Sequence, residues 1–225
     1  QAGQLLAGRT TFFVGKYKLI DLLGRGGMGI VFYAQHTMMN RLVALKVISK
    51  QLGQDPALLE RFFTEARAIA ALDHPNIVHA YNVDNEGDRY YLVMEFVEGQ
   101  DLQRMVESEG PLDCERAVDY VRQAAEGLAH AHGRNMIHCD IKPANLLVNS
   151  QGVVKILDMG MARLVGRDED GSGEQEDRIL GTVDYLAPEQ ALESPELDHR
   201  VDIYSLGCTL YFLLTGHPPF PEGTL

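Results

Sequence analysis

Four glycines fall within Gly24-Arg25-Gly26-Gly27-Met28-Gly29, between a short strand expected from Tyr17 to Leu23 and the β-branched pair Ile30-Val31. A helix through such a segment would lose heavily in backbone entropy, and the residues that follow it favour extended chain. The pattern predicts a glycine-rich turn between two strands, where missing side chains let backbone N–H groups approach a polyphosphate. The dinucleotide-binding version of a glycine loop opens a helix, so Ile30-Val31 argues against a Rossmann domain. Taken alone, the same residues also fit a hairpin with no ligand.

A polar step at Met39-Asn40-Arg41 separates the second strand, Ile30 to Gln35, from a third, Leu42 to Ile48, which makes an antiparallel meander. The third strand is apolar on both faces except at Lys46, whose ammonium is costly to bury without a carboxylate or phosphate partner. A helix is expected from Pro56 to Leu72, since Leu58, Phe62 and Ile69 recur at helical spacing. Glu65 lies three residues after Phe62 and four before Ile69, on the inward face, and can supply the carboxylate. Each of these two charges, read singly, also fits a snorkelling surface residue. Strands from Val78 to Asp84 and Tyr90 to Phe96 complete this half.

After Glu98-Gly99 the pattern turns helical. Asp113 is a candidate N-cap for a long helix ending near Gly133, and Arg200 to Thr215 reads as a buried helix. Leu146 to Val148 and Val153 to Leu157 read as short strands, while Arg167 to Arg178, Gly-rich and acidic, reads as a mobile loop.

Composition narrows the function. The formal charge of -12 repels nucleic-acid backbones. Cys114, Cys139 and Cys208 are too scattered for a disulfide framework or a zinc site, which favours a reducing, cytoplasmic compartment. Nothing at the N-terminus reads as a signal peptide, and the apolar stretch from Val201 to Leu214 contains Asp202 and is short for a membrane span, so these residues make no membrane contact. An anchor elsewhere in a longer parent stays open.

The densest motif is Ile137-His138-Cys139-Asp140-Ile141-Lys142-Pro143-Ala144-Asn145-Leu146-Leu147, followed by Asp158-Met159-Gly160 and, later, Ala187-Pro188-Glu189. With the glycine loop and the Val-Ala-Leu-Lys strand in the same order, the chain resembles the serine/threonine protein kinase family, bacterial members above all, over roughly Tyr17 to Phe220. The resemblance implies an α+β, two-lobed fold: a five-stranded antiparallel N-lobe sheet with one helix, and a mainly helical, incomplete C-lobe. Residues 1–15 would be an N-terminal extension, 16–97 the N-lobe and 98–225 the C-lobe, truncated after the helix at 200–215.

The same resemblance implies ATP and Mg2+ as cofactors and a protein serine or threonine as substrate. It makes Asp140 the group that orients the substrate hydroxyl and accepts its proton, places Lys142 on the γ-phosphate, and makes Asn145 and Asp158 the magnesium ligands. Lys46 would hold the α- and β-phosphates, with Glu65 fixing it. Leu23, Gly24, Arg25, Gly26, Gly27, Met28, Gly29 and Ile30 would cover the phosphates. Val31, Ala44 and Leu147 would sandwich the adenine, with Met94 behind it and Glu95 and Val97 offering backbone hydrogen bonds. Thr182 would contact Asp140, and Asp202 would brace the catalytic-loop backbone.

Two departures stand out. Cys139 occupies the place of an arginine that in most active kinases holds an activation-loop phosphate, so activity here is expected not to depend on that phosphate. Six acidic residues between Asp168 and Asp177 are a possible substitute for it, or simply a solvated loop. The chain also stops before the late helices of the family, which leaves Glu189 without its usual arginine and points to self-association through uncovered apolar surface. A pseudokinase or ATP-binding scaffold is the alternative reading.

Overall fold

The computed structural model describes residues 12–26, 29–49, 56–159, 184–192 and 197–220. Gly27, Met28, Thr182, the segment from 167 to 178 and the side chain of Glu65 lie outside the described residues. Within the described part the chain divides into two compact units, one comprising residues up to Ala71 with His79–Phe96, the other Leu72–Val78 with the residues from Val97 onward.

The first unit is an antiparallel sheet in the order β1-β2-β3-β4-β6-β5, built from β1 (Phe13–Val14), β2 (Tyr17–Gly26), β3 (Gly29–His36), β4 (Leu42–Ile48), β5 (Ala80–Glu86) and β6 (Arg89–Glu95). It has six strands rather than the expected five. The addition comes from within the expected N-terminal extension: Val14 is buried beside Tyr17, and the Leu19 N–H donates to the Phe12 carbonyl. Two residues are too short for a periodicity signal, so tertiary pairing alone creates this strand. Ala34, Val43, Leu45, Tyr91 and Val93 close the core on one sheet face. Helix α1 (Pro56–Ala70) buries Phe62, Ala66 and Ile69, which recur at three- and four-residue steps.

The glycine loop is the end of the β2–β3 hairpin, whose ladder runs out through Gly24↔Val31, Arg25↔Ile30 and Gly26↔Gly29. Gly29 is required by the fold: its φ is 144°, and a Cβ there would collide with the Val47 carbonyl oxygen. Among the described residues, a Cβ on Gly24 would meet no atom within 4 Å.

In the second unit a three-stranded sheet, β7 (Gly99–Asp101), β8 (Leu146–Asn149) and β9 (Val154–Ile156), lies beside helices α2 (Leu102–Glu109) and α3 (Cys114–His132), followed by α4 (Pro188–Ala191) and α5 (Arg200–Thr215). Asp113 caps α3 as expected, accepting from the Arg116 N–H at 2.9 Å. Leu72–Val78 belongs here because Asn76 is clamped to the unit: its Nδ2 donates to the Val154 carbonyl and to Gln123 Oε1, and its own carbonyl accepts from Ile156 N–H. Helix α5 packs on α3 and buries Val201, Leu206, Phe212 and Leu213, while its opposite face leaves Ile203, Tyr211 and Leu214 exposed. Strand β7 carries no strand signal in the sequence, since Gly99-Gln100-Asp101 has poor strand propensity and is held by its ladder to β8.

Candidate active site

In the second unit the segment from His138 to Asn145 is held almost wholly by side-chain hydrogen bonds, because no regular ladder reaches it until β8 begins. Asp202, fully buried near the start of α5, accepts from the backbone N–H groups of His138 (Oδ2, 2.8 Å) and Cys139 (Oδ1, 2.8 Å). His132 Nε2 meets the same carboxylate at 2.8 Å. One acid in an apolar helix thus fixes two successive peptides. Such a buried carboxylate is tolerable only because charge-assisted bonds surround it.

His138 is also fully buried and works in two directions. Its Nδ1 accepts from the Asp140 N–H (3.2 Å), so its Nε2 carries the proton and donates to the Leu157 carbonyl (2.8 Å). One imidazole therefore sets the backbone immediately before Asp140 and immediately before Asp158. Cys139 (φ 65°) and Asp158 (φ 53°) both adopt left-handed backbone, unfavourable for residues with a Cβ and sustained here by these bonds.

The Asp140 carboxylate then receives two donors. Lys142 Nζ donates to Oδ1 at 2.9 Å, and Asn145 Nδ2 donates to Oδ2 at 3.0 Å and to the Asp140 carbonyl at 2.7 Å. Both Asp140 and Lys142 remain partly exposed. With its amide nitrogen turned inward, Asn145 presents Oδ1 the other way; that oxygen and the Asp158 carboxylate are hard donors of the kind magnesium prefers. The Leu157 N–H donates to the Asn145 carbonyl at 2.9 Å, tying the segments that bear these two residues. Leu147, on β8, is half-buried, as is Val97.

Sequence reasoning groups Asp140, Lys142, Asn145 and Asp202, and the structure brings them together. It assigns no role to His138, His132 or Gln190, whose Nε2 donates to the Cys139 carbonyl. No periodicity could reveal them, because each acts across 50 residues or more or through a tight turn.

The first unit carries the other expected residues. Lys46 is buried in the middle of β4, opposite Val31 on β3 and Leu92 on β6. Ala44, two residues earlier on the same side of the strand, is buried opposite Met94. Leu23 and Arg25 are exposed near the hairpin end, and Ile30 and Val31 are half-buried. The Glu95 N–H donates to the His79 carbonyl at 2.8 Å, so that N–H is not on offer to a base. Glu65 sits on α1 between the buried Phe62 and Ala66.

A model of the protein kinase domain matches residues 17–224. The chain belongs to the protein kinase family. Kinase relatives include the serine/threonine-protein kinase PknB of Mycobacterium tuberculosis, 41% identical over 209 residues that cover 91% of this chain and 33% of the relative. A probable PknB of Bifidobacterium longum is 42% identical, covering 92% and 31%, and PrkC of Bacillus subtilis is 38% identical with the same coverage. The kinase domain here thus spans about a third of the length of these relatives. No helix among its described residues is long and apolar enough to cross a membrane.

Proposed function

We propose that this chain is the catalytic domain of a serine/threonine protein kinase, transferring the γ-phosphate of ATP to a protein hydroxyl in bacterial signalling, on the cytoplasmic side. The observation that carries this reading is the Asp140 carboxylate, partly exposed and oriented at once by Lys142 and Asn145. A loose phosphoryl-transfer transition state needs little covalent help, so a site must align the hydroxyl with the phosphate and neutralise charge. Asp140 turns one carboxylate oxygen to the substrate hydroxyl and accepts its proton as the new P–O bond forms and the bond from the γ-phosphorus to the β–γ bridging oxygen breaks, with ADP as the leaving group. Lys142, already on that carboxylate, is placed to bridge it to the γ-phosphate.

Asn145 and Asp158 would hold magnesium, which supplies charge neutralisation on the phosphate oxygens. Lys46 serves the α- and β-phosphates, and Glu65 on α1 is the carboxylate that fixes it. The hairpin from Gly24 to Gly29 covers the phosphates; the fold demands glycine at 29, while at Gly24, where no described atom would meet a Cβ, glycine suits close backbone approach to a nucleotide. Val31, Ala44 and Leu147 take the adenine, and Thr182 the substrate side of Asp140. The names of the relatives favour serine or threonine as acceptor.

The test is phosphate transfer from Mg-ATP to a generic protein by the chain and by Asp140→Asn. Transfer that is lost in Asp140→Asn while nucleotide binding persists supports the assignment; transfer that survives the substitution overturns it.

A further inference from the structure

We propose that Gln190 is a positioning residue for phosphoryl transfer: by bonding the Cys139 carbonyl it holds the peptide plane that carries Asp140. The inference rests on the kinase reading above. Gln190 lies in the short helix α4, and both ends of its amide are used. Oε1 accepts from the Ala187 N–H at 3.3 Å and Nε2 donates to the Cys139 carbonyl at 3.0 Å. The partners settle the amide's orientation, since an N–H must meet oxygen and a carbonyl must meet NH2.

The Cys139 carbonyl and the Asp140 N–H belong to one peptide unit. Gln190 grips its oxygen, and His138 Nδ1 grips its hydrogen at 3.2 Å. The preceding peptide is held by Asp202 on the Cys139 N–H. Cys139 stands in left-handed backbone (φ 65°), which a residue with a Cβ leaves readily unless its neighbours over-determine it. Gln190 holds it from the α4 side.

That side is itself anchored. Ser205 Oγ on α5 donates to the Tyr185 carbonyl at 2.7 Å, two residues before Ala187. Helix α5 therefore grips the catalytic loop through Asp202 and the approach to α4 through Ser205, and Gln190 closes the third side of the triangle. Displacing α4 would tilt the Cys139–Asp140 peptide and with it the catalytic carboxylate, while the residues of the first unit that would hold the nucleotide are untouched.

Two substitutions in the full chain separate the possibilities. Gln190→Met keeps the length and removes both bonds. Gln190→Glu keeps the oxygen that caps Ala187 and sets a second oxygen against the Cys139 carbonyl. If the Cys139 bond positions Asp140, both variants lose about five- to tenfold in kcat, the scale of one net hydrogen bond, with KM for ATP unchanged. Hydrogen exchange at the Asp140 amide should speed up in both, while Ala187 stays protected only in Gln190→Glu. Wild-type kcat and Asp140 protection in Gln190→Glu would overturn the proposal and leave helix capping as the only role. An equal rise in KM for ATP in both variants, with unchanged exchange at Asp140, would overturn it as well. Should the unsubstituted chain transfer no phosphate, the kinase reading fails separately, and the Asp140 exchange rates still decide whether Gln190 holds the loop.

Discussion

Removing the Asp202 carboxylate should release the catalytic loop at a cost that can be worked out from its partners. In Asp202→Ala the N–H groups of His138 and Cys139 lose acceptors at 2.8 Å, in a place where Asp202 itself has no exposure. A buried donor left unsatisfied costs about 1–3 kcal/mol, so the two together cost roughly 2–6 kcal/mol. His132 loses a third contact, but its side chain is 15% exposed and can turn to water, so it adds little. Against total stabilities of about 5–15 kcal/mol for ordinary domains, this is a severe loss. In Asp202→Asn one oxygen remains for one N–H while an NH2 faces the other, so about half of the loss should return. The chain has no tryptophan, so urea unfolding is best followed by far-UV circular dichroism. With a urea slope of about 2 kcal/mol per M, the Asp202→Ala midpoint should fall by about 1–3 M. A midpoint within about 0.3 M of the parent would refute the bracing role, and an Asn variant no better than Ala would refute the assignment of the loss to the two N–H groups.

Gly29→Ala should destabilise the domain by about 1–3 kcal/mol or more, because φ of 144° and the Val47 carbonyl both exclude a Cβ, whereas Gly24→Ala should melt like the parent and show a raised KM for ATP. Equal melting temperatures for the two variants would contradict this. Burial first, then the neighbouring His130 and Lys155, hold the His74 imidazole below its usual pKa of 6.5, against the opposing pull of Glu126 and Asp73. The unfolded chain then takes up a proton at higher pH than the folded one, so this contribution is complete above about pH 6.5 and declines as pH falls towards the lower folded value. His74→Gln should flatten that part of the melting-temperature profile, and parallel profiles would refute the assignment. Because Cys139 offers no guanidinium to a phosphate, phosphatase treatment should leave most of the transfer activity; near-complete loss would show that another group reads that phosphate.

Much of this fold is legible in the sequence. The β2–β3–β4 meander follows from glycines set against β-branched runs, and α1, α3 and α5 from apolar spacing and, at Asp113, from a capping side chain. These signals are local, so a short window of residues contains each of them. The grouping of Asp140, Lys142, Asn145 and Asp202 comes instead from the resemblance of the chain to the protein kinase family, carried by its ordered motifs.

Other features depend on partners far away in the chain. Strand β1 exists because β2 supplies its ladder, and β7 because β8 does. The tautomer of His138 is set by Asp140 and Leu157 together, and the Gln190 amide by Ala187 and Cys139. Local spacing carries propensity and pattern, which the sequence alone determined; the direction of a hydrogen bond depends on two groups meeting in space, and only tertiary structure decided which groups meet.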